Sequence, residues 1–118
     1  MLHWINDTYG VNDIMITENG VPMSKRDLYD VTWLECIRDH LEQILLAIND
    51  GIHVIGYTAW SLMDNFEWMA GYSNTFGLYS VDFSDPRRPR SPRESARYYS
   101  SVTRTRSLYP RRTGLNYE

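Results

Sequence analysis

One cysteine, Cys36, is the only thiol in 118 residues, which rules out an internal disulfide and any cysteine-based metal site. With no cationic neighbour or helix N-terminus to lower its pKa, Cys36 is expected to pack on a helix. No apolar run approaches the roughly 20 residues that a membrane-spanning helix needs. The opening Met1-Leu2-His3-Trp4-Ile5-Asn6-Asp7 lacks a positive stretch followed by an apolar one, so no secretory signal is expected in this chain. Acids are scarce toward the end. From Arg87 to Arg112 nine arginines face the single acid Glu94, although the whole chain carries a formal charge of −3. Basic stretches attract nucleic acid or anionic surfaces, but this one has neither an aromatic stacking pattern nor zinc-ligand spacing. It reads as a solvated helix and terminus balancing an acidic body, with no nucleic-acid partner.

What is present supports a folded core. Hydrophobic residues make up 42% of the chain and aromatics 14%, a composition typical of globular material. Ile14 to Thr17 is a short β-prone run stopped by Asn19-Gly20, so Glu18 is expected at the C-terminal end of a buried strand. Val21 to Tyr29 reads as a polar linker. From Asp30, a plausible N-cap, Leu34, Ile37, Leu41, Ile44, Leu45 and Ile48 recur at helical spacing until Asn49-Asp50-Gly51. Ile52 to Trp60 supplies a second apolar strand interrupted by Gly56, where a neighbour is expected to come close.

Strand, crossover helix and strand make a βαβ unit with parallel strands. Parallelism places Glu18 and Trp60 at the same, carboxyl, edge of the sheet, where α/β folds put their sites. Beyond Trp60 runs a loop rich in aromatics and carboxylates, and then Gly77 to Phe83 alternates like a strand. Ser91-Pro92-Arg93-Glu94 carries a capping box with proline at the first helical position and is expected to open a final helix, with Ala96, Tyr99 and Val102 on its inner face. Trp4 and Trp33 are expected to be packing residues. Asn6-Asp7-Thr8 fits a glycosylation acceptor, a short pattern common by chance.

Carboxylates beside tryptophans at one sheet edge suit a sugar: flat rings cover its C–H faces and carboxylates accept from its hydroxyls. Glycoside cleavage needs two carboxyls, and Glu18 with Glu67 is one available pair. The setting of Glu67 in Asn65-Phe66-Glu67-Trp68 better suits hydroxyl recognition than attack. From residue type alone, Glu18 also reads as a surface acid closing a strand, and Trp60 and Phe76 as core aromatics.

Ile16-Thr17-Glu18-Asn19-Gly20, Gly56-Tyr57-Thr58-Ala59-Trp60-Ser61, Asp64-Asn65-Phe66-Glu67-Trp68, and Phe76-Gly77-Leu78 ending in Val81-Asp82-Phe83 together resemble the C-terminal part of glycoside hydrolase family 1. That family includes β-glucosidases, lactase-like enzymes and the klotho proteins. The resemblance covers Leu2 to Val102. It implies an α/β fold, the last two βα units of a (β/α)8 TIM barrel, with Glu18 ending the seventh strand and Trp60 the eighth. Residues 1–106 are expected to be this barrel portion and 107–118 a basic, unstructured tail.

By the same resemblance, Glu18 is the catalytic nucleophile of a retaining, double-displacement hydrolysis of β-linked glycosides. Trp60 borders the sugar, Glu67 and Trp68 bind hydroxyls at C4 and C6, and Phe76 lies near the C6 end. No metal or organic cofactor is implied. The family's acid/base glutamate, in a Thr-Phe/Leu-Asn-Glu-Pro motif, is absent here, as are its sugar-binding glutamine, histidine and asparagine. Thr75 stands where an arginine is usual and Arg93 where a lysine is usual, the latter a tolerated change at a helix start. At 118 residues the chain falls well short of the roughly 250 of a closed barrel. The chain alone is therefore expected to be inactive and to need the remainder of the barrel; the alternative is a non-catalytic, klotho-like binding module.

Overall fold

The computed structural model describes residues 1–23 and 28–109. In chain order these form α1 (Leu2–Tyr9), β1 (Ile14–Asn19), α2 (Val31–Asn49), β2 (Val54–Ala59), a 3-10 turn (Trp68–Ala70), β3 (Tyr79–Val81), β4 (Arg90–Pro92) and α3 (Glu94–Thr105). β1 and β2 pair in parallel, with Ile14 opposite Val54, Ile16 opposite Tyr57 and Asn19 opposite Ala59. The βαβ unit is thus present as expected. The register is irregular between Ile16 and Asn19, a local break of the sort that re-aims side chains at functional strand ends. β3 and β4 form a second, antiparallel pair.

The core lies where α2 and α3 meet the β1–β2 sheet. Trp33, Ile37, Ala59, Leu78 and Ala96 are its buried members, and Tyr57 and Tyr99 pack against them. In α2 the helical spacing holds, with Ile37, Ile44 and Ala47 buried, whereas Leu45 and Ile48 at the edge of the stripe remain exposed. Met15 and Ile55 on the strands are also exposed. Apolar side chains therefore stay uncovered on both the helix and the strands. No helix among the described residues is long and apolar enough to cross a membrane.

Three local expectations need correction, and a fourth holds with an unexpected partner. The final helix does not open at Ser91-Pro92. Both residues lie in β4, where Pro92 pairs with Tyr79, and the N-cap is Arg93, with no side-chain capping bond. Proline is tolerated there because a short edge strand does not require its missing N–H. Asp30 does occupy the N-cap of α2, but its carboxylate leaves the helix amides uncapped. It instead accepts from the Ser95 backbone N–H at 3.0 Å and from the Ser95 hydroxyl, bolting the starts of α2 and α3 together. Trp4 is exposed and touches Tyr9 edge-on at 5.6 Å; α1 is too short and peripheral to bury it. The arginine-rich stretch is not uniformly solvated, because Arg93 is completely buried.

Asn6 of the glycosylation pattern lies within α1. In the linker, Met23 bridges to Thr75. At the other end, the Tyr98 hydroxyl donates to the Leu108 carbonyl at 3.1 Å. Positions 110–118 of the expected tail lie outside the described residues.

Candidate active site

β1 carries Glu18 to the carboxyl edge of the parallel pair. Its side chain is exposed and borders a cavity of about 470 Å³ whose walls include Leu2, Ile16, His40, Ile44 and Tyr57. The next residue fixes the strand end. The Asn19 carbonyl accepts from the Trp60 N–H at 2.7 Å, and the Asn19 side-chain oxygen accepts from the Tyr57 hydroxyl at 2.8 Å. Burial pushes the Tyr57 pKa up, so this hydroxyl stays protonated and remains a donor. A Cβ on Gly20 would lie 2.1 Å from the Trp60 carbonyl oxygen, so only glycine lets the two strand ends pass so closely.

Beyond β2, the Trp60–Ser61 peptide bond is cis. The chain then makes a ladder with the segment that follows Phe76: Ser61 N–H to Phe76 carbonyl at 3.0 Å, Leu78 N–H to Ser61 carbonyl at 2.8 Å, and Tyr79 N–H to Leu62 carbonyl at 2.9 Å. The Phe76 carbonyl also accepts from the Trp33 indole at 3.2 Å, which ties the loop to α2. Within the loop, the Trp60 indole N–H reaches Glu67 Oε1 at 3.4 Å. Trp68 is 80% exposed and has a positive φ of 45°. The Glu67 N–H donates to the Gly71 carbonyl at 2.7 Å, closing a tight bend that leaves the indole of Trp68 facing solvent.

Four of the five candidate residues, Trp60, Glu67, Trp68 and Phe76, therefore sit on one hydrogen-bonded loop. Glu18 joins them through the Asn19–Trp60 main-chain bond. Among the described residues no hydrogen bond links Glu18 to Glu67, and no group of three His, Cys, Asp or Glu side chains is placed to hold a metal ion.

The loop is organised by a residue pair whose importance is not evident from residue type. Asp64 lies between Trp60 and Glu67, with its side chain 3% exposed, and Arg93 opposes it at 0%. Arg93 donates two parallel bonds to the Asp64 carboxylate, at 2.9 and 3.0 Å, and a third to the Gly77 carbonyl. Asp64 also accepts from the Gly77 N–H at 2.9 Å and the Val81 N–H at 3.2 Å. Asp64 signals itself only by its acidic position within an aromatic loop, and Arg93 only by standing where a lysine is usual. Asn19 and Tyr57 likewise carry no signal beyond their places in the motifs.

Fold and site together define a segment of an α/β barrel with a carboxylate- and tryptophan-lined carboxyl edge. The chain belongs to glycosyl hydrolase family 1, whose model matches residues 1–108. It is 46% identical to human cytosolic β-glucosidase over 110 residues, covering 92% of this chain and 24% of that protein. It resembles the structure of aphid myrosinase with a TM-score of 0.84 at 43% identity, covering 87% of this chain and 22% of that one. A Thermotoga maritima β-glucosidase in complex with glucoimidazole matches with a TM-score of 0.85 at 33% identity, over 91% of this chain and 25% of that one. The chain thus spans about a quarter of the length of these relatives and is the C-terminal part of the family's (β/α)8 barrel.

Proposed function

We propose that this chain supplies the nucleophile side of a site that hydrolyses β-linked glycosides with retention of configuration. The observation that carries this reading is the end of β1: Glu18 is exposed, and Asn19 beside it is bonded to Trp60 of the adjacent strand. An ionised Glu18 oxygen attacks the anomeric carbon as the bond to the aglycone oxygen breaks, giving a glycosyl ester. Water then cleaves that ester and regenerates the carboxylate. The ring of Trp60 covers a sugar face, Glu67 and Trp68 take hydroxyls at the far side, and Phe76 closes the C6 end.

The proton for the leaving oxygen comes from a carboxylic acid on the rest of the barrel. General acid catalysis of this kind is worth ~10²–10⁴ in rate. In this reading residues 1–106 form the barrel portion, and the chain alone does not turn substrate over. The exposed Met15 and Ile55 on the strands and Leu45 on α2 support a requirement for further barrel elements, since uncovered apolar surface is otherwise a liability.

The test mixes the purified chain with human cytosolic β-glucosidase truncated before the quarter that this chain matches, and follows aryl β-glucoside hydrolysis. Activity in the mixture, but in neither part alone and not with Glu18→Gln, supports the proposal. Turnover by the isolated chain would overturn the need for a partner. Assembly that binds glycoside without turnover would favour a non-catalytic binding module.

A further inference from the structure

We propose that the Asp64–Arg93 pair is a positioning device for the glycoside-binding loop, setting where Glu67 and Phe76 stand; this rests on the functional reading above. Asp64 lies three residues before Glu67 and four after Trp60, and its carboxylate receives the N–H of Gly77, the residue after Phe76. One buried carboxylate therefore ties the outgoing limb of the loop to its returning limb. Arg93 fastens that junction to the start of α3 through two bonds to Asp64 and one to the Gly77 carbonyl.

The junction is tight as well as polar. A Cβ on Gly77 would lie 2.2 Å from the Asp64 backbone nitrogen and 2.5 Å from the Tyr79 carbonyl oxygen, so the limbs touch backbone to backbone. Neither Asp64 nor Arg93 is open to solvent, with side chains 3% and 0% exposed; neither is placed to touch a sugar. Their action is through the loop. The planar guanidinium matches a carboxylate with two parallel bonds and still has donors left for a carbonyl, a geometry that a lysine ammonium cannot reproduce.

Because a single substitution leaves a buried charge unpaired, the decisive variant replaces both: Asp64→Leu with Arg93→Met, an apolar pair that buried sites often tolerate. Arg93→Lys is its conservative companion. Hydrogen exchange on the 118-residue chain is the first readout and needs no activity. The amides of Gly77 and Val81 are expected to exchange at least about tenfold faster in the double variant while those of β1 and β2 are unchanged, corresponding to local opening.

The second readout is the complemented assembly, where KM for an aryl β-glucoside is expected to rise about tenfold with kcat changed less, the pattern of lost substrate positioning. Arg93→Lys is expected to fall between parent and double variant in both. Failure of the parent assembly to hydrolyse glycosides would sink the functional reading, and the substrate-positioning claim with it, whatever the exchange shows. Unprotected Gly77 and Val81 amides in the parent chain, a double variant that does not fold, or unchanged KM despite faster exchange would each overturn the positioning role alone.

Discussion

Two carboxylates in this molecule are held in opposite ways. At the end of β1, Glu18 is exposed on a strand fixed by main-chain bonds and by the neighbouring Asn19. In the loop after β2, Asp64 is buried, with both oxygens engaged by Arg93 and by two backbone amides. An acid whose lone pairs are all occupied is a structural tie. An acid presented by a rigid strand with its oxygens open is available for attack. The difference is what the proposed roles rest on, Glu18 as nucleophile and Asp64 as organiser of its surroundings, although both lie at the same end of the sheet.

The largest expected effect falls on the open acid. In the complemented assembly, Glu18→Gln is expected to reduce aryl β-glucoside hydrolysis by at least about 10⁴-fold, as loss of a covalent nucleophile does, with an unchanged circular dichroism spectrum. The tied acid is expected to behave in reverse, through stability. Arg93→Met strands Asp64 as a buried unpaired charge, and denaturant unfolding should show a loss of about 3–5 kcal/mol. A variant of Glu18 that unfolds the chain, or one of Arg93 that leaves stability intact, would erase the contrast.

A milder test touches the anchor between loop and α2. Trp33→Phe removes the indole N–H given to the Phe76 carbonyl, which keeps Ser61 as a donor. The expected cost is about 1–2 kcal/mol in the unfolding midpoint analysis.

The smallest effect belongs to the exposed ion pair Arg87–Asp85, at 2.9 Å. Side-chain and backbone bonds from Arg87 hold the Asp85 carboxyl below its ordinary value. A depressed folded-state pKa contributes stability above the unfolded value of about 3.9 and loses it as pH falls through the folded one. Arg87→Ala should therefore raise the Asp85 pKa toward that ordinary value in an NMR titration. Any stability difference between parent and variant should vanish in acid, while glycoside turnover in the assembly is unchanged.

Much of this is legible in the sequence. The β-prone run ending at Glu18, the helical stripe through Ile37 and Ile44, and the apolar run ending at Trp60 each announce themselves through periodicity, and together they dictate a parallel pair. Parallel strands read as apolar runs because both of their faces are covered in complete α/β folds, although no residue of β1 is buried in this chain. Boundaries drifted by a residue or two where end turns fray. The opening of α3 was misplaced for a more instructive reason. Ser91-Pro92-Arg93-Glu94 satisfies every local rule for a helix start, but Arg93 is drawn inside by Asp64, 29 residues earlier. Local signals describe what a segment can do alone, and a buried bidentate pair outweighs them.

Asp30 teaches the same lesson at the other helix. Its position at the N-cap was readable, whereas its actual partner, Ser95, lies 65 residues away. Trp4 and Trp33 are the same residue type with similar expectations. One is exposed at 60% and the other fully buried, because Trp33 joins the core shared with Ala59 of β2 and Ala96 of α3, whereas α1 buries none of its residues.

The sequence by itself determined the βαβ unit, the placing of Glu18 and Trp60 at one edge and, through its motifs, the family. These depend on residue type and spacing along the chain, which hydrophobic periodicity and turn chemistry translate directly into local structure. Only the tertiary structure decided which charges are buried together, which limbs of the long loop touch and which tryptophans face solvent. Those outcomes depend on pairings across 29 to 65 residues, and the energy of a buried carboxylate is set by the partners that folding brings to it rather than by its neighbours in sequence.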